Sequence, residues 1–343
     1  MRIAIFQAIP DEQGFLCRAC NERFEAVPFA AREMLLEMRQ SFDYVECGAC
    51  GTIQIAAIPS DLERYYPQTY RHAVRKSGQL GRSLRKLRGA YVRGAHWNLA
   101  GGLLLHLSRP EWVDWMIHAQ ARSDSRILDV GSGDGTLLTA LSAAGYRDLT
   151  GIDPYIDPLE VRGDGVRVHI RTIDQHHGVY DVVMLHHSLE HMPDPADALQ
   201  HVRRVLDPDG WAIVRMPVAG SYGWRTYREH WLGLEPPRHL VIPSIEGMRR
   251  LAERAGFSIE SISFDSSGCC YAVSELWASD RALPYPRRPW QKRAIEMLGA
   301  ERVAQLQLLA RERNAAGDGD HAVYYLRLKE KLAGEEGFEP SIP

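Results

Sequence analysis

The chain has 343 residues, 45% of them hydrophobic and 25% charged, with a formal net charge of -3. That length accommodates one full α/β domain and a smaller module, and the slightly acidic balance argues against a general nucleic-acid binder, which is often basic throughout. Met1 is followed by only a short apolar run before Pro10 and Asp11, shorter than a signal-peptide core, so export is not expected. The longest apolar stretch, around Leu99–Leu107, falls well short of the roughly 20 residues a membrane span needs, so a cytoplasmic protein is expected.

In chain order, the cysteines come first. Four of the six fall as two knuckles, Cys17-Arg-Ala-Cys20 and Cys47-Gly-Ala-Cys50. Each knuckle can present two thiolates to one metal from a tight turn, so a structural Zn²⁺ held by Cys17, Cys20, Cys47 and Cys50 is expected in place of disulfides. A redox C-x-x-C would explain one pair and not two. Cys269-Cys270 read as buried small apolar residues. Residues 1–70 are therefore read as a zinc-ribbon module, with Gly51 turning the second knuckle and too little core to fold without metal.

Residues 71–124 read as a basic helical linker or cap. From Arg71 to Arg93 the segment carries eight arginines and lysines, among them Arg75, Lys76, Arg82 and Lys86, with no acid between them. It either meets an anionic partner or forms a solvated helix face. Trp97, Trp112 and Trp115 mark a further helical region expected to pack on the main domain or cover its cleft.

From Ser125 strands alternate with helices, the pattern of a parallel sheet with crossover helices. "RILDV" is the first strand, "GTLLTALSAAG" a helix ending in a glycine cap, "LTGIDPY" the second strand, and a third lies near "VRVHIRT". "YDVVMLHH" follows as the fourth, then a helix with Asp194 as its cap and Pro195 at its first position, then "GWAIVRMPV" as the fifth. An aromatic, proline-rich loop leads to the helix "SIEGMRRLAERAG", the sixth strand "FSIESISF", a helical insertion over about 268–317, and a final strand "HAVYYLRLK". Residues 125–330 thus form one domain, and 331–343 a disordered tail.

The first strand ends in "ILDVGSGDGT", whose glycines Gly131, Gly133 and Gly135 are spaced G-x-G-x-G, unlike the G-x-G-x-x-G of a dinucleotide site. Asp129 precedes that loop, where a carboxylate would oppose a pyrophosphate but suit an ammonium group. Asp153, at the end of the second strand, is placed to accept hydrogen bonds from both hydroxyls of a ribose. An amine near one strand and a ribose near the next describe an amino-acid nucleoside.

"LDVGSGDG", "GIDPY" and "YDVVMLHHSLEHMPDP…RVLDPDGWAIVRMP", over about Ser125–Lys329, resemble the class I S-adenosylmethionine-dependent methyltransferases. The resemblance implies a Rossmann-like seven-stranded sheet with helices on both faces. It also implies a Gly131–Gly135 loop supporting the methionine part, Asp153 holding the ribose, and Thr172, Ile173 and Asp174 bordering the adenine. The two cysteine knuckles followed by "YYPQTY" and a domain with "LEH" are similar to methyltransferases of sugars and other small molecules in surface-polysaccharide and natural-product pathways. The sizeable extra C-terminal domain of the sugar C-methyltransferases is missing, which argues against carbon methylation; O-methylation of a sugar, nucleotide-sugar or secondary metabolite is the expected activity.

Ligands of open α/β sheets sit outside the carboxyl ends of the strands, which draws attention to His186, His187, Glu190 and His191. His186 is expected to border the cofactor. A hydroxyl acceptor needs its proton removed, and histidine titrates near neutrality. His191 is the first candidate base, His187 the second and His239 the third. Arg238 could grip a carboxylate or phosphate or fix its loop by a salt bridge, Glu190 could orient a neighbour, and Tyr222 and Trp224 could stack on an acceptor or join a local apolar cluster. No metal-ligand set is evident in this domain, so the zinc is expected to lie away from the chemistry.

The expected function is methylation of a small-molecule acceptor, anionic if nucleotide- or lipid-linked, with no specific nucleic acid. The alternatives are an RNA methyltransferase using the zinc ribbon for binding, and a non-catalytic scaffold retaining the fold. The "HHSLEHMPD" after the fourth strand, where base N-methylating enzymes commonly carry an Asn/Asp-Pro-Pro-Tyr motif, weighs against the first. The intact Asp129, glycines and Asp153 weigh against the second.

Overall fold

The structure is a computed structural model that describes residues 14–66, 79–94, 98–107, 109–156, 166–282 and 290–329. Part of the "YYPQTY" element, Arg71, Arg75, Lys76, Trp97 and the tail lie outside the described residues.

The N-terminal part opens with a short antiparallel pair, β1 (Phe15–Leu16) and β2 (Arg23–Phe24). Three further strands, β3 (Phe29–Arg32), β4 (Ser41–Glu46) and β5 (Ile53–Ile55), pair antiparallel. Three helices follow: α1 (Gln79–Val92), α2 (Leu99–Leu107) and α3 (Glu111–His118).

The main sheet then takes shape. β6 (Arg126–Val130) leads through α4 (Thr136–Ala144) to β7 (Asp148–Ile152), β8 (Val166–His169) and β9 (Tyr180–His186). α5 (Pro195–Val205) leads to β10 (Leu206–Pro217), and the short α6 (Tyr222–Tyr227) to β11 (Val241–Ile242). α7 (Ile245–Arg254) precedes β12 (Phe257–Phe264); α8 (Gly268–Ala278), α9 (Trp290–Leu298) and α10 (Ala300–Ala315) come before β13 (His321–Leu328).

The seven main strands run in the order β12-β13-β10-β9-β6-β7-β8. The pairs among β8, β7, β6, β9 and β10 are parallel, while β13 is antiparallel to both its neighbours. Successive residues of a strand face opposite sides, and two cores result. Leu128, Val130, Val183, Leu185 and Val214 pack with α5 and α7, whereas Ile127, Val182, Met184 and Ile213 pack with α3 and α4. This is the seven-stranded, helix-flanked architecture that the sequence implies. After β8 the chain crosses to the far side of β6 to lay down β9, so the strand order reverses between β6 and β9. Their carboxyl ends open the crevice in which such folds bind ligands.

Local chemistry explains the boundaries. Gly135 (φ 72°) and Gly145 (φ 101°) bracket α4 in left-handed conformations, and the Asp194 carboxylate accepts from the amides of Ala196 and Asp197 at the start of α5. Two features go beyond the sequence reading. The helical insertion holds three helices, with Gly299 (φ 85°) separating α9 from α10. The aromatic loop contains β11, which pairs with β5 through Val241–Gln54 and Ile242–Ile53, so the small four-stranded sheet, in order β11-β5-β4-β3, is completed by the methyltransferase-like part of the chain.

Candidate functional site

The cysteines are drawn together at the first site. Cys17 Sγ lies 3.6 Å from Cys50 Sγ, and Cys20 Sγ 3.8 Å from Cys47 Sγ, with all four sulfurs within 4.8 Å of one another. A tetrahedral Zn²⁺ with Zn–S bonds of about 2.3 Å separates its sulfurs by about 3.8 Å, so the four cysteines fit a zinc site. Each knuckle ends in a left-handed residue, Asn21 (φ 64°) and Gly51 (φ 70°), and the amides of these residues donate back to the carbonyls of Cys17 and Cys47. The equivalence of Asn21 and Gly51 was legible in the sequence, since asparagine is the residue that next most readily adopts this conformation, but only Gly51 was read as a turn.

The glycine loop stands at the carboxyl end of β6. Gly131 (φ 76°) could carry no side chain, because a Cβ there would lie 2.5 Å from Ser188 Cβ. Ser188 in turn donates its hydroxyl to Val130 O at 2.7 Å, which locks the ends of β6 and β9 together. At Gly133 a Cβ would meet nothing within 4 Å; the loop backbone is bare toward a ligand there. Asp153 accepts from Gly133 N at 3.0 Å and from Tyr155 N at 2.8 Å, so the carboxylate proposed for a ribose also shapes the loop.

Asp129 is 2% exposed, and its Oδ1 has no hydrogen-bond partner among the described residues. Burial, with the nearby charge of Asp153, raises its carboxyl to about 7. A buried acid with an orphaned oxygen beside a bare glycine loop suits a cationic ligand group, and these residues fit the S-adenosylmethionine implied by the sequence. Of the three positions expected at the adenine, Ile173 is buried, Thr172 half-buried and Asp174 exposed, in a single turn after β8.

Past β9 lies a dense histidine cluster. His187 adopts a left-handed backbone (φ 52°). Its Nδ1 is 3.1 Å from Glu190 Oε1, and its Nε2 meets the Arg215 guanidinium. Both ring nitrogens are thus engaged: Nδ1–H donates to the carboxylate, and Nε2 accepts from arginine. Burial and Arg215 hold His187 well below the ordinary histidine range. His186 belongs to the same network, 3.2 Å from Arg215 Nη1 and 3.6 Å from Glu111 Oε2, with its ring 5.1 Å from that of Trp115. Burial opposes ionisation of Glu111, but the hydrogen bond to His186 and the charge of Arg215 prevail and hold its carboxyl down at about 2. Arg215 also pairs with Asp265 at 2.6 Å.

His191 and His239 form the second half. Their ring centroids are 4.8 Å apart. His191 Nδ1 is 2.9 Å from Arg238 O, which can only accept, so Nδ1 carries the proton and Nε2 is the basic nitrogen. His239 is fixed the same way by Gly233 O at 2.7 Å. Burial and the neighbouring His239 lower His191 to about 4, and burial lowers His239 as well. Both rings are neutral at pH 7. Glu190 is fully buried, its Oε2 has no hydrogen-bond partner among the described residues, and together with His191 and His239 it places three donor atoms within 4.8 Å of one another. A donor set able to hold a metal ion therefore does exist in this domain, contrary to the sequence reading, because Glu190 and His239 come from loops that spacing alone does not connect.

The cysteine-bearing module reaches this cluster. The Tyr66 hydroxyl lies 3.1 Å from His191 Nδ1, and its ring stacks on Tyr155 at 6.0 Å. The Tyr44 hydroxyl donates to His239 O at 3.0 Å, and β5 continues the link through Ile55 N to Leu240 O at 3.0 Å. Tyr44, Tyr66, Glu111 and Arg215 were missed by the sequence reading, since each arrives from an element distant along the chain. Arg238 is buried and paired with Glu235. Trp224, 1% exposed, packs with Phe29 and Trp231 in an aromatic core, and Tyr222 packs edge-on to Tyr271. The structure therefore brings His187, Glu190, His191 and His239 together and seats Tyr222 and Trp224 among the packing aromatics.

Residues 106–262 match a family model described as a methyltransferase domain. A ubiquinone biosynthesis O-methyltransferase from Erwinia tasmaniensis is 32% identical over 146 residues, covering 39% of this chain and 60% of that protein. One from Bordetella avium is 33% identical over 121 residues, covering 32% and 50%. The chain thus spans about half the length of the curated relatives it matches. A cyclopropane synthase structure from Mycobacterium tuberculosis is 17% identical over 59% of this chain and 78% of that one, with a TM-score of 0.38. Among the described residues no helix is long and apolar enough to cross a membrane. With its strand order, glycine loop and matching region, the chain carries a class I S-adenosylmethionine-dependent methyltransferase domain.

Proposed function

We propose that the chain methylates a hydroxyl of a small molecule, a sugar, nucleotide-linked sugar or secondary metabolite, using S-adenosylmethionine. The observation that carries this reading is the neutral His191, whose Nδ1–H is committed to Arg238 O and whose Nε2 is left as the basic nitrogen. The O-methyltransferase relatives also point to oxygen as the acceptor atom.

When bound, S-adenosylmethionine supplies a sulfonium-activated methyl group. This chain's residues do the rest. Asp129 opposes the charge of the ligand ammonium, and Asp153 holds the ribose while fixing Gly133. His191 takes the acceptor's proton at Nε2, and Tyr66 and Arg238 O hold the ring in the orientation and tautomer for that transfer. His187, with both nitrogens engaged, keeps Glu190 in place instead of receiving a proton. Alignment of the acceptor and exclusion of water complete what such a displacement asks of a protein. The zinc-loaded chain, incubated with labelled S-adenosylmethionine and a panel of hydroxylated acceptors, is expected to label oxygen, with turnover falling about 10²-fold or more in His191→Asn. Label on carbon or nitrogen, or undiminished turnover in His191→Asn, would refute the reading.

A further inference from the structure

One face of the helical layer has no part in the site described above. α2, "LAGGLLLHL", is apolar on both sides. Gly101 and Leu105 are buried against α1, where a Cβ on Gly102 would lie 2.9 Å from the Tyr91 ring. On the other side Leu99, Leu103 and Leu107, four residues apart and hence in one row, are 79%, 61% and 72% exposed, and Ile117 of α3 is 47% exposed. A helix apolar all round belongs against something apolar on both sides. A cavity of about 640 Å³ opens in the same layer, lined by Tyr91, Val92, Leu105 and Met116 with Arg93, Asp124 and an Arg109 that pairs with Asp114.

The charge of α1 and α2 is one-sided. Between Glu63 and Glu111 every charged residue is arginine or lysine, in a chain whose formal net charge is -3; Lys86 is exposed on α1.

These two properties select among occupants. A second copy of the same face would set two acid-free segments against each other. A polynucleotide would meet the charge but give the leucine row no apolar contact. A bilayer surface bearing anionic head groups meets both, with leucines entering the acyl boundary and basic side chains reaching the phosphates. We propose that the α1–α2 face docks on such a membrane surface, lying on it without spanning it. α3 runs from this face to Glu111, which contacts His186 and Arg215, so docking would bring the histidine cluster near the interface. The proposal stands independently of the methyl-transfer reading.

The test is co-sedimentation of the full, zinc-loaded chain with vesicles of phosphatidylcholine alone or mixed with phosphatidylglycerol. Partitioning is expected to be about ten-fold stronger on the anionic vesicles, and to weaken with salt and in Lys86→Glu. Leu103→Glu combined with Leu107→Glu should abolish it, with an unchanged circular-dichroism spectrum and thermal melting showing that the variant is folded. Should the double variant misfold, Leu103→Ser alone, expected to weaken partitioning several-fold, takes its place. Absent binding, equal binding to both vesicles, or unchanged binding in folded leucine variants would overturn the proposal, as would a leucine variant that only splits a dimer.

Discussion

The Tyr66 hydroxyl stands 3.1 Å from His191 Nδ1, although the two residues are 125 positions apart in the chain. One comes from the C-terminal end of the cysteine-bearing module and the other from the turn after β9, so the module supplies a wall of the histidine cluster. If Tyr66 steadies the His191 ring, Tyr66→Phe should lower kcat by about ten-fold, a loss of roughly 1.4 kcal/mol, and leave S-adenosylhomocysteine affinity unchanged. A KM effect with intact kcat would instead assign Tyr66 to acceptor binding.

His187 and His191, four residues apart in the chain, should separate in function. His191→Asn is expected to lower turnover by about 10²-fold or more while the protein melts near the wild-type temperature. His187→Asn leaves the buried Glu190 without its imidazole partner and removes one contact of Arg215, which Asp265 and Glu111 still hold, and should lower stability by about 1–3 kcal/mol with a smaller loss of turnover. Chemical denaturation and single-turnover kinetics on the two variants measure the split.

Asp129 gives a pH dependence of defined sign. Its folded-state carboxyl, raised from 3.8 to about 7, favours the protein when protonated, so this contribution is full below about pH 4 and is lost as pH rises through about 7. The ligand's ammonium selects the ionised form. Affinity for S-adenosylmethionine should therefore fall as pH drops below about 7, and binding near pH 6 should release a proton, visible as a buffer-dependent heat. Asp129→Asn should raise the Tm at pH 7 by several degrees, on the order of 5 °C, and lose cofactor affinity.

His191 sets a second acid limb, at lower pH. Its folded value of about 4 lies below the ordinary 6.5, so the base form persists well into the acid range and kcat at saturating cofactor should hold until pH falls toward 4. The same depression makes its stability contribution present above about 6.5 and lost as pH falls toward 4. Circular dichroism along the same pH series separates loss of base from loss of fold.

Zinc removal should reach the site. Because β5 pairs with β11, and Tyr44 holds His239 O, chelating the metal is expected to loosen the loop that carries His239. Turnover should fall in parallel with zinc content and return on readdition, followed by atomic absorption and activity on the same samples.

The sheet was legible because each strand is a short apolar run closed by its own signal: Gly145 after α4, Asp194 before α5, the glycines after β6. The cysteine cluster was legible from spacing. What spacing could not show is which loops meet. β11 is two residues of an aromatic loop and has its meaning only through pairing with β5. Arg215 lies within a strand whose apolar pattern hides it, yet it organises His186, His187 and Asp265. Trp224 had the composition of a stacking residue, but burial against Phe29 and Trp231 makes it core.

A cofactor site built from Asp129, the Gly131–Gly135 loop and Asp153 is tested most directly by calorimetric titration of the zinc-loaded protein with S-adenosylmethionine and S-adenosylhomocysteine. Saturable one-to-one binding of both, lost in Asp153→Ala with the fold intact, is the predicted result. A folded, zinc-loaded protein that binds neither would contradict it.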